Sequence, residues 1–388
     1  MKALRLLERI PESRWTKPWV PASLLEATPS RVVAEEGSLR VKLYSAHEAP
    51  ARAQVLLFPS LINRPYILDL GKGRSLIQSL VKAGIEVLVF DWGSPGPSER
   101  DLGLESLLTH RVPRALERAL AFSEFEADDS RPRTLIGHCL GGNLALLFAA
   151  LQDSSKSSAR IDALMSLTTP IDTANHALLN TWFQIPEWSP DLFARSFESI
   201  PWPLMQFSFQ MLRPTMTPRR WLQFAGRMSD QDYRDSWLQM EIWSNDNISF
   251  SSELFRDLLI PMYRDNVWMN LEAAKPLWSR VSELQKPVFS VSAVDDHIVP
   301  LSSARAIQAV LPKAQHIHHE LRGGHIGAVL SKKTRENVWP EMVRFLLEPL
   351  TYVARKDDRT GSKPHANPSP KSAATGVGAS IPVGLTSH

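Results

Sequence analysis

The sequence predicts an α/β protein: a mostly parallel sheet flanked by helices and interrupted by a helical insertion. Three observations predict it. Between residues 51 and 170, short apolar runs bounded by turn residues alternate with helix-length segments, the pattern of a parallel sheet covered on both faces. Between 171 and 286 that alternation gives way to helical periodicity rich in tryptophan and proline. Strand-like runs then return between 287 and 355.

Residues 1–50 read as an N-terminal extension with a short amphipathic stretch. Edge strands follow in Arg31–Tyr44, which alternates around a turn at Gly37. In the first part of the core, Val55–Phe58, Val87–Phe90 and Thr134–Ile136 are the strands. Ser75–Lys82 and Val112–Phe122 are helix-like, and the third strand leads through glycines into a helix at Asn143–Leu151. Eight of the 12 tryptophans fall in the insertion, among them Trp237, Trp243, Trp268 and Trp278. The insertion is expected to form a lid over the carboxyl edge of the sheet, where open α/β sheets bind ligands. Most of its aromatics are expected to be its own core, although so apolar a lid suits a greasy substrate. Pro287–Ser292 and Ile317–Leu321 read as returning strands and Thr334–Leu347 as a helix, completing the core. Residues 356–388 carry no aromatic residue and are rich in Pro, Gly, Ser, Ala and Thr. Such a tail buries too little to offset its ordering entropy and is expected to be disordered.

Of the 388 residues 43% are hydrophobic and 22% charged, with a net charge of +3. That composition excludes a mostly disordered chain and shows no nucleic-acid footprint. The single cysteine excludes an internal disulfide and any multi-cysteine metal site. No apolar run reaches the roughly 18 residues of a membrane helix. Arg5, Glu8 and Arg9 stand where a signal peptide needs an apolar stretch. The expectation is a soluble, intracellular protein.

The chemistry concentrates in Gly137-His138-Cys139-Leu140-Gly141-Gly142, which follows a strand and opens a helix. Its Gly-x-Cys-x-Gly spacing is that of a nucleophile elbow with cysteine in place of serine, and the glycines allow a strained turn and close helix–strand contact. The elbow exposes Cys139 at the sheet edge and at a helix N-terminus, where the dipole favours a thiolate. Alone, this motif competes with a small buried cysteine, the commonest fate of a free thiol. Two later features change the odds. Asp295-Asp296-His297-Ile298-Val299-Pro300 follows a strand, and Gly323-Gly324-His325-Ile326 follows the last one. The chain order nucleophile, acid, histidine is that of α/β-hydrolases, and the long interval between Cys139 and Asp296 holds the insertion. Asp296 is the favoured acid because of the Asp-x-x-Val-Pro ending, with Asp295 as its competitor. His297 is the poorer base, since it sits beside the acid. The backbone N–H of Leu140, with one near Leu61 or Ile62, would form the oxyanion hole. A zinc reading of His316, His318, His319 and Glu320 fails, because Gly323 stands where the motif requires histidine. Gly71-Lys72-Gly73 lacks the spacing of a phosphate loop.

From about Val32 to Leu347 the chain resembles the polyhydroxyalkanoate synthases, most closely the class III catalytic subunits. The resemblance rests on Asn63-Arg64-Pro65-Tyr66-Ile67-Leu68-Asp69-Leu70, Asp91-Trp92-Gly93, the Gly137–Gly142 box, Met240-Glu241-Ile242-Trp243, Phe255-Arg256-Asp257 with Tyr263-Arg264-Asp265-Asn266, and the acid and histidine motifs. Leu140 departs from the polar residue common after the class III cysteine. The resemblance implies a cytoplasmic enzyme at polyester granules that polymerises (R)-3-hydroxyacyl-CoA and releases CoA. It implies Cys139 as acyl carrier, His325 as base, and Asp296 as its partner or as activator of the substrate hydroxyl. It also implies a homodimer, with a class III non-catalytic partner subunit, and no cofactor, CoA being part of substrate and product. The residues support acyl transfer in their own right. An acyl-Cys139 thioester retains the transfer potential of the acyl-CoA, so passing the group to a hydroxyl is downhill. The alternative is an intracellular polyester depolymerase or acyl-CoA thioesterase on the same triad. A third reading is a granule-binding paralogue with an inert site, against which the intact triad argues.

Overall fold

A computed structural model describes residues 27–45, 49–71, 73–127, 129–154, 159–174, 183–185, 189–211 and 224–360. Eight strands form its main sheet: β1 (Arg31–Glu36), β2 (Leu39–Tyr44), β3 (Ala53–Phe58), β4 (Ile85–Asp91), β5 (Arg133–His138), β6 (Ala163–Leu167), β7 (Val288–Ala293) and β8 (His316–Leu321). Their spatial order is β1-β2-β4-β3-β5-β6-β7-β8. The first two strands run antiparallel to each other, and β2 runs antiparallel to β4. From β4 to β8 every pairing is parallel. The loops after β3, β5, β7 and β8 therefore leave from one edge of the sheet.

Every residue of β3 is buried, which is why its sequence shows no polar alternation. Val55 and Leu57 point into one core with Leu76 and Leu80 of α1 (Leu76–Lys82) and with Phe345. Leu56 and Phe58 point into the other, with Leu116 of α2 (Val112–Leu120) and with Leu144 and Phe148 of α3 (Leu140–Ser154). Ser75 caps α1 by accepting the Gln78 N–H at 2.7 Å. The antiparallel pair expected around Gly37 is present, with φ of +62° at that glycine.

The structure departs from expectation at three places. Strand β6 has no counterpart in the sequence-based expectation: its Ala, Met and two Leu residues favour helices, and pairing with β5 and β7 on either side makes it a strand. Between β6 and β7 the chain is largely helical, including α4 (Trp202–Met211) and α5 (Gln231–Ser244), but a two-stranded ribbon pairs Ser199–Ile200 with Phe250–Ser251. Beyond α6 (Trp339–Leu347), α7 (Pro349–Thr360) continues past Lys356, where the disordered tail is expected to begin. Glu341 ties it down by accepting from Tyr352 Oη at 2.6 Å and Lys356 Nζ at 3.0 Å. The amphipathic stretch near the N-terminus and the tail beyond 360 lie outside the described residues. No helix among the described residues is long and apolar enough to cross a membrane.

Candidate active site

Three loops at the shared sheet edge bring Cys139, Asp296 and His325 together. Cys139 joins β5 to α3 with φ of +52°, a strained conformation for a residue bearing a side chain. Its N–H donates to Leu167 O at 2.9 Å. The surrounding glycines are required by contact. A Cβ on Gly137 would lie 2.3 Å from Gly142 Cα, one on Gly141 2.1 Å from Pro59 O, and one on Gly142 1.8 Å from Thr169 Oγ1. The elbow thus lets α3 pack against β3 and the end of β6 while presenting the thiol.

Asp296 follows β7, with its side chain wholly buried. Its Oδ1 accepts the N–H groups of Ile298 (2.8 Å) and Val299 (3.0 Å), and its Oδ2 lies 2.7 Å from His325 Nδ1. Burial alone would raise its pKa, but the His325 charge and these hydrogen bonds hold the carboxyl below the usual aspartate range. Asp295 is exposed and turns the other way, accepting the Gly323 N–H at 3.0 Å. The pair of aspartates is thereby separated into a histidine partner and a loop brace. His297 is exposed.

His325 is buried between Asp296 and Cys139 and hydrogen-bonds both. Burial works against its charge, yet the Cys139 and Asp296 charges outweigh it and push the ring up to about 10. The geometry sets the ring between the sulfur of Cys139 and the carboxylate of Asp296, hydrogen-bonded to each.

One neighbour is missing from the sequence reading. His138, the residue before the nucleophile, stacks at a tilt on His325 with ring centroids 5.6 Å apart. It is buried, and neither ring nitrogen meets a hydrogen-bond partner among the described residues. Burial first, and then the His325 charge, push it down to about 3, so it is a neutral wall for the charged ring. Its signal was its place at the end of a strand buried along its whole length.

Above Cys139 lies a cavity of about 370 Å³. Leu140 and Ile62 both line it, whereas Leu61 faces a separate small cavity beside Trp92. The Ile62 N–H is only loosely held, 3.4 Å from Ser60 Oγ. Several residues singled out in the sequence brace this loop against the insertion. Ile62 O accepts the Ile248 N–H at 2.8 Å, and Asn63 Nδ2 donates to Asn247 Oδ1 at 2.9 Å. Trp243 Nε1 donates to Arg64 O at 2.9 Å, and Tyr66 Oη to Asp246 Oδ2 at 2.9 Å. Among the described residues none of the insertion's tryptophans lines the cavity. Trp268 and Trp278 pack edge to face at 4.8 Å and are buried, while Phe183, Phe193, Phe255 and Tyr263 supply the apolar roof.

The three histidines of β8, His316, His318 and His319, serve the sheet. His318 bridges Ser290 Oγ (2.7 Å) and Ser292 Oγ (2.9 Å), and burial pushes it down to about 4. His316 Nε2 donates to Leu311 O at 2.9 Å, and the His319 ring stacks on Phe289 at 4.7 Å. Among the described residues no three His, Cys, Asp or Glu side chains are grouped to hold a metal ion.

Comparison with known proteins agrees with this architecture. A family model described as alpha/beta hydrolase fold matches residues 55–329. The poly(3-hydroxyalkanoate) polymerase subunit PhaC of Allochromatium vinosum is 28% identical over 329 residues, covering 83% of this chain and 89% of the relative. The subunit of the same name from a Synechocystis species is 28% identical over 334 residues, covering 83% and 85%. Among solved structures, a thermostable carboxyl esterase from Bacillus coagulans superposes with a TM-score of 0.51 at 13% identity, over 82% of this chain and 98% of the other. The family match runs from β3 through the loop that carries His325, well over half of the sequence, and the chain belongs to the alpha/beta hydrolase fold family.

Proposed function

We propose that this chain is a poly(3-hydroxyalkanoate) polymerase, an acyltransferase that builds polyester from (R)-3-hydroxyacyl-CoA and releases CoA. The observation that carries this reading is a cysteine, hydrogen-bonded to His325, on the elbow at the floor of an apolar cavity. The PhaC relatives, similar over most of the chain, are named poly(3-hydroxyalkanoate) polymerase subunits, which supports the reading.

Cys139 attacks the thioester carbonyl of the acyl-CoA, and CoA leaves as its thiol. His325 takes the Cys139 proton and gives it to the leaving sulfur, and Asp296 holds the ring with Nδ1–H directed at itself. The carbonyl oxygen, negative in the tetrahedral intermediate, receives the N–H groups of Leu140 and Ile62. One thioester is exchanged for another at little cost. The hydroxyl of the next acyl group then attacks acyl-Cys139, with His325 as base, and an ester forms downhill. Water at this stage would yield a free acid and end the chain, and the apolar roof excludes it. Burial seals Asp296 from the incoming hydroxyl, so its task is to position His325. The thioester supplies the drive, so the reading asks for no cofactor. The segment 171–286 acts as the lid in this scheme, and 51–170 with 287–355 as the core.

The reading extends to a cytoplasmic homodimer working at the granule surface with a non-catalytic partner subunit. The test is incubation with (R)-3-hydroxyacyl-CoA thioesters, with and without a class III partner subunit, with Cys139→Ala as control. Thiol release with insoluble polymer, both lost in the variant, is the expected result. Thiol release with only soluble 3-hydroxy acid would overturn the polymerase in favour of a thioesterase.

A further inference from the structure

The cavity above Cys139 is larger and more apolar than the smallest substrate of such a reaction needs. A four-carbon 3-hydroxyacyl group ends in a single methyl beyond the carbinol carbon. The space available is about 370 Å³, within the range of roughly 300–1,000 Å³ that encloses whole small ligands. Among the described lining residues no side chain is charged, and only Cys139, Tyr263 and Ser208 carry polar atoms on their side chains. Three rings build one wall: Phe183 stacks on Phe255 at 6.0 Å and on Tyr263 at 5.6 Å. Tyr263 lies close enough to Cys139 for the thiolate charge, after burial, to raise its phenol. The apolar wall therefore begins at the reacting sulfur.

We infer that this chamber binds the alkyl tail of the incoming monomer, and that the chain prefers medium-length (R)-3-hydroxyacyl-CoA, of six to eight carbons or more, over the four-carbon thioester. The inference rests on the polymerase reading and specifies its substrate. The growing polyester fits the chamber less well. Each of its units carries an ester carbonyl, and with Cys139 acylated the described lining side chains offer such groups only the hydroxyls of Ser208, which already donates to Leu204 O at 2.9 Å, and Tyr263 once they leave water. A hydrocarbon tail makes no such demand, and each methylene it buries adds favourable free energy.

The experiment measures kcat/KM for thiol release by the full chain with (R)-3-hydroxybutyryl-, -hexanoyl- and -octanoyl-CoA, below their micelle concentrations. Burial of one methylene corresponds to about fourfold in binding, so octanoyl is expected to exceed butyryl by at least about tenfold. Leu204, on α4 and in the chamber lining, supplies the second measurement. Leu204→Trp narrows the chamber and is expected to cut the octanoyl-to-butyryl ratio by about tenfold or more. Leu204→Phe, a milder change, is expected to cut it less. The ratio is read within one preparation, so partial misfolding does not alter it. A ratio at or below one in the wild type, or one that neither variant changes, would overturn the inference. Polymer formed from (R)-3-hydroxybutyryl-CoA and from neither longer thioester would remove this inference and leave the polymerase reading standing. Release from none of the three thioesters would remove both.

Discussion

Replacing Asp296 by asparagine separates two roles a carboxylate could play here: orienting His325 or activating the substrate hydroxyl. The asparagine keeps the two backbone hydrogen bonds, because its Oδ1 still accepts from the N–H groups of Ile298 and Val299. The third contact fails. Where Asp296 Oδ2 lies 2.7 Å from His325 Nδ1, the amide presents an N–H, and the ring must turn its unprotonated Nδ1 toward it. The ring's other nitrogen then carries the proton and cannot accept one from Cys139. Losing a hydrogen bond to a charged group costs about 1.5–3 kcal/mol, or roughly 10- to 150-fold. The wrong tautomer adds to this, and a comparable change in a serine triad lowers kcat about 10⁴-fold. The expected loss is therefore about 10²- to 10⁴-fold. It falls on the first step, so both CoA release and the alkylation of Cys139 by iodoacetamide slow together. Folding is expected to survive, with a melting temperature within a few degrees of wild type. If alkylation and single-turnover CoA release keep their wild-type rates while polymer growth stops, Asp296 acts on the hydroxyl and the positioning argument is wrong.

Three further outcomes follow from the same geometry. Gly142→Ala places a Cβ 1.8 Å from Thr169 Oγ1, so it is expected to abolish activity or soluble expression, and Thr169→Gly in the same chain to restore part of it; full activity of the single variant would contradict the elbow. Because the Cys139 and Asp296 charges together push His325 up to about 10, Asp296→Asn is expected to lower the pH at which the His325 ring gives up its proton, read from its ring signals by NMR titration, and an unchanged titration would contradict the reading. His138 and His318 have folded values of about 3 and about 4, below the ordinary 6.5, so the unfolded chain takes up these protons first. The stability they allow is present above about pH 6.5 and is lost as pH falls toward 4, at up to about 1.4 kcal/mol per pH unit for each. Urea midpoints at pH 7 and 5 measure the loss, His318→Gln is expected to lessen it, and an unchanged wild-type midpoint contradicts it.

The parts of the fold legible in the sequence are those where local pattern and tertiary demand coincide. Val55–Phe58 and Val87–Phe90 read as strands because a parallel sheet buried on both faces requires unbroken apolar runs. Cys139 was legible because close packing at the elbow leaves glycine as the only residue at 137, 141 and 142. The choice of Asp296 over Asp295 rested on the residues that follow it, and these are the ones whose N–H groups hold its carboxylate. What stayed hidden depends on partners distant in sequence. Ala163–Leu167 is a strand only because β5 and β7 flank it. His138 acquires meaning only when the β8 loop lays His325 on it. The tryptophans drew attention to the insertion, but a residue type does not reveal which way it points, and phenylalanines form the roof of the cavity. Asn63, Tyr66 and Trp243 were recognisable as motif residues, yet their work of clamping the Ile62 loop to the insertion follows only from the contacts.

The most direct test of the account is the mass of the enzyme during turnover. The protein is mixed with (R)-3-hydroxyacyl-CoA, quenched in acid within seconds, and the peptide containing Cys139 is weighed. The account predicts a ladder of 3-hydroxyacyl units on Cys139, removed by hydroxylamine and missing from Cys139→Ala. A peptide that stays unmodified, or carries a single unit that yields only free acid, while CoA is released would contradict it.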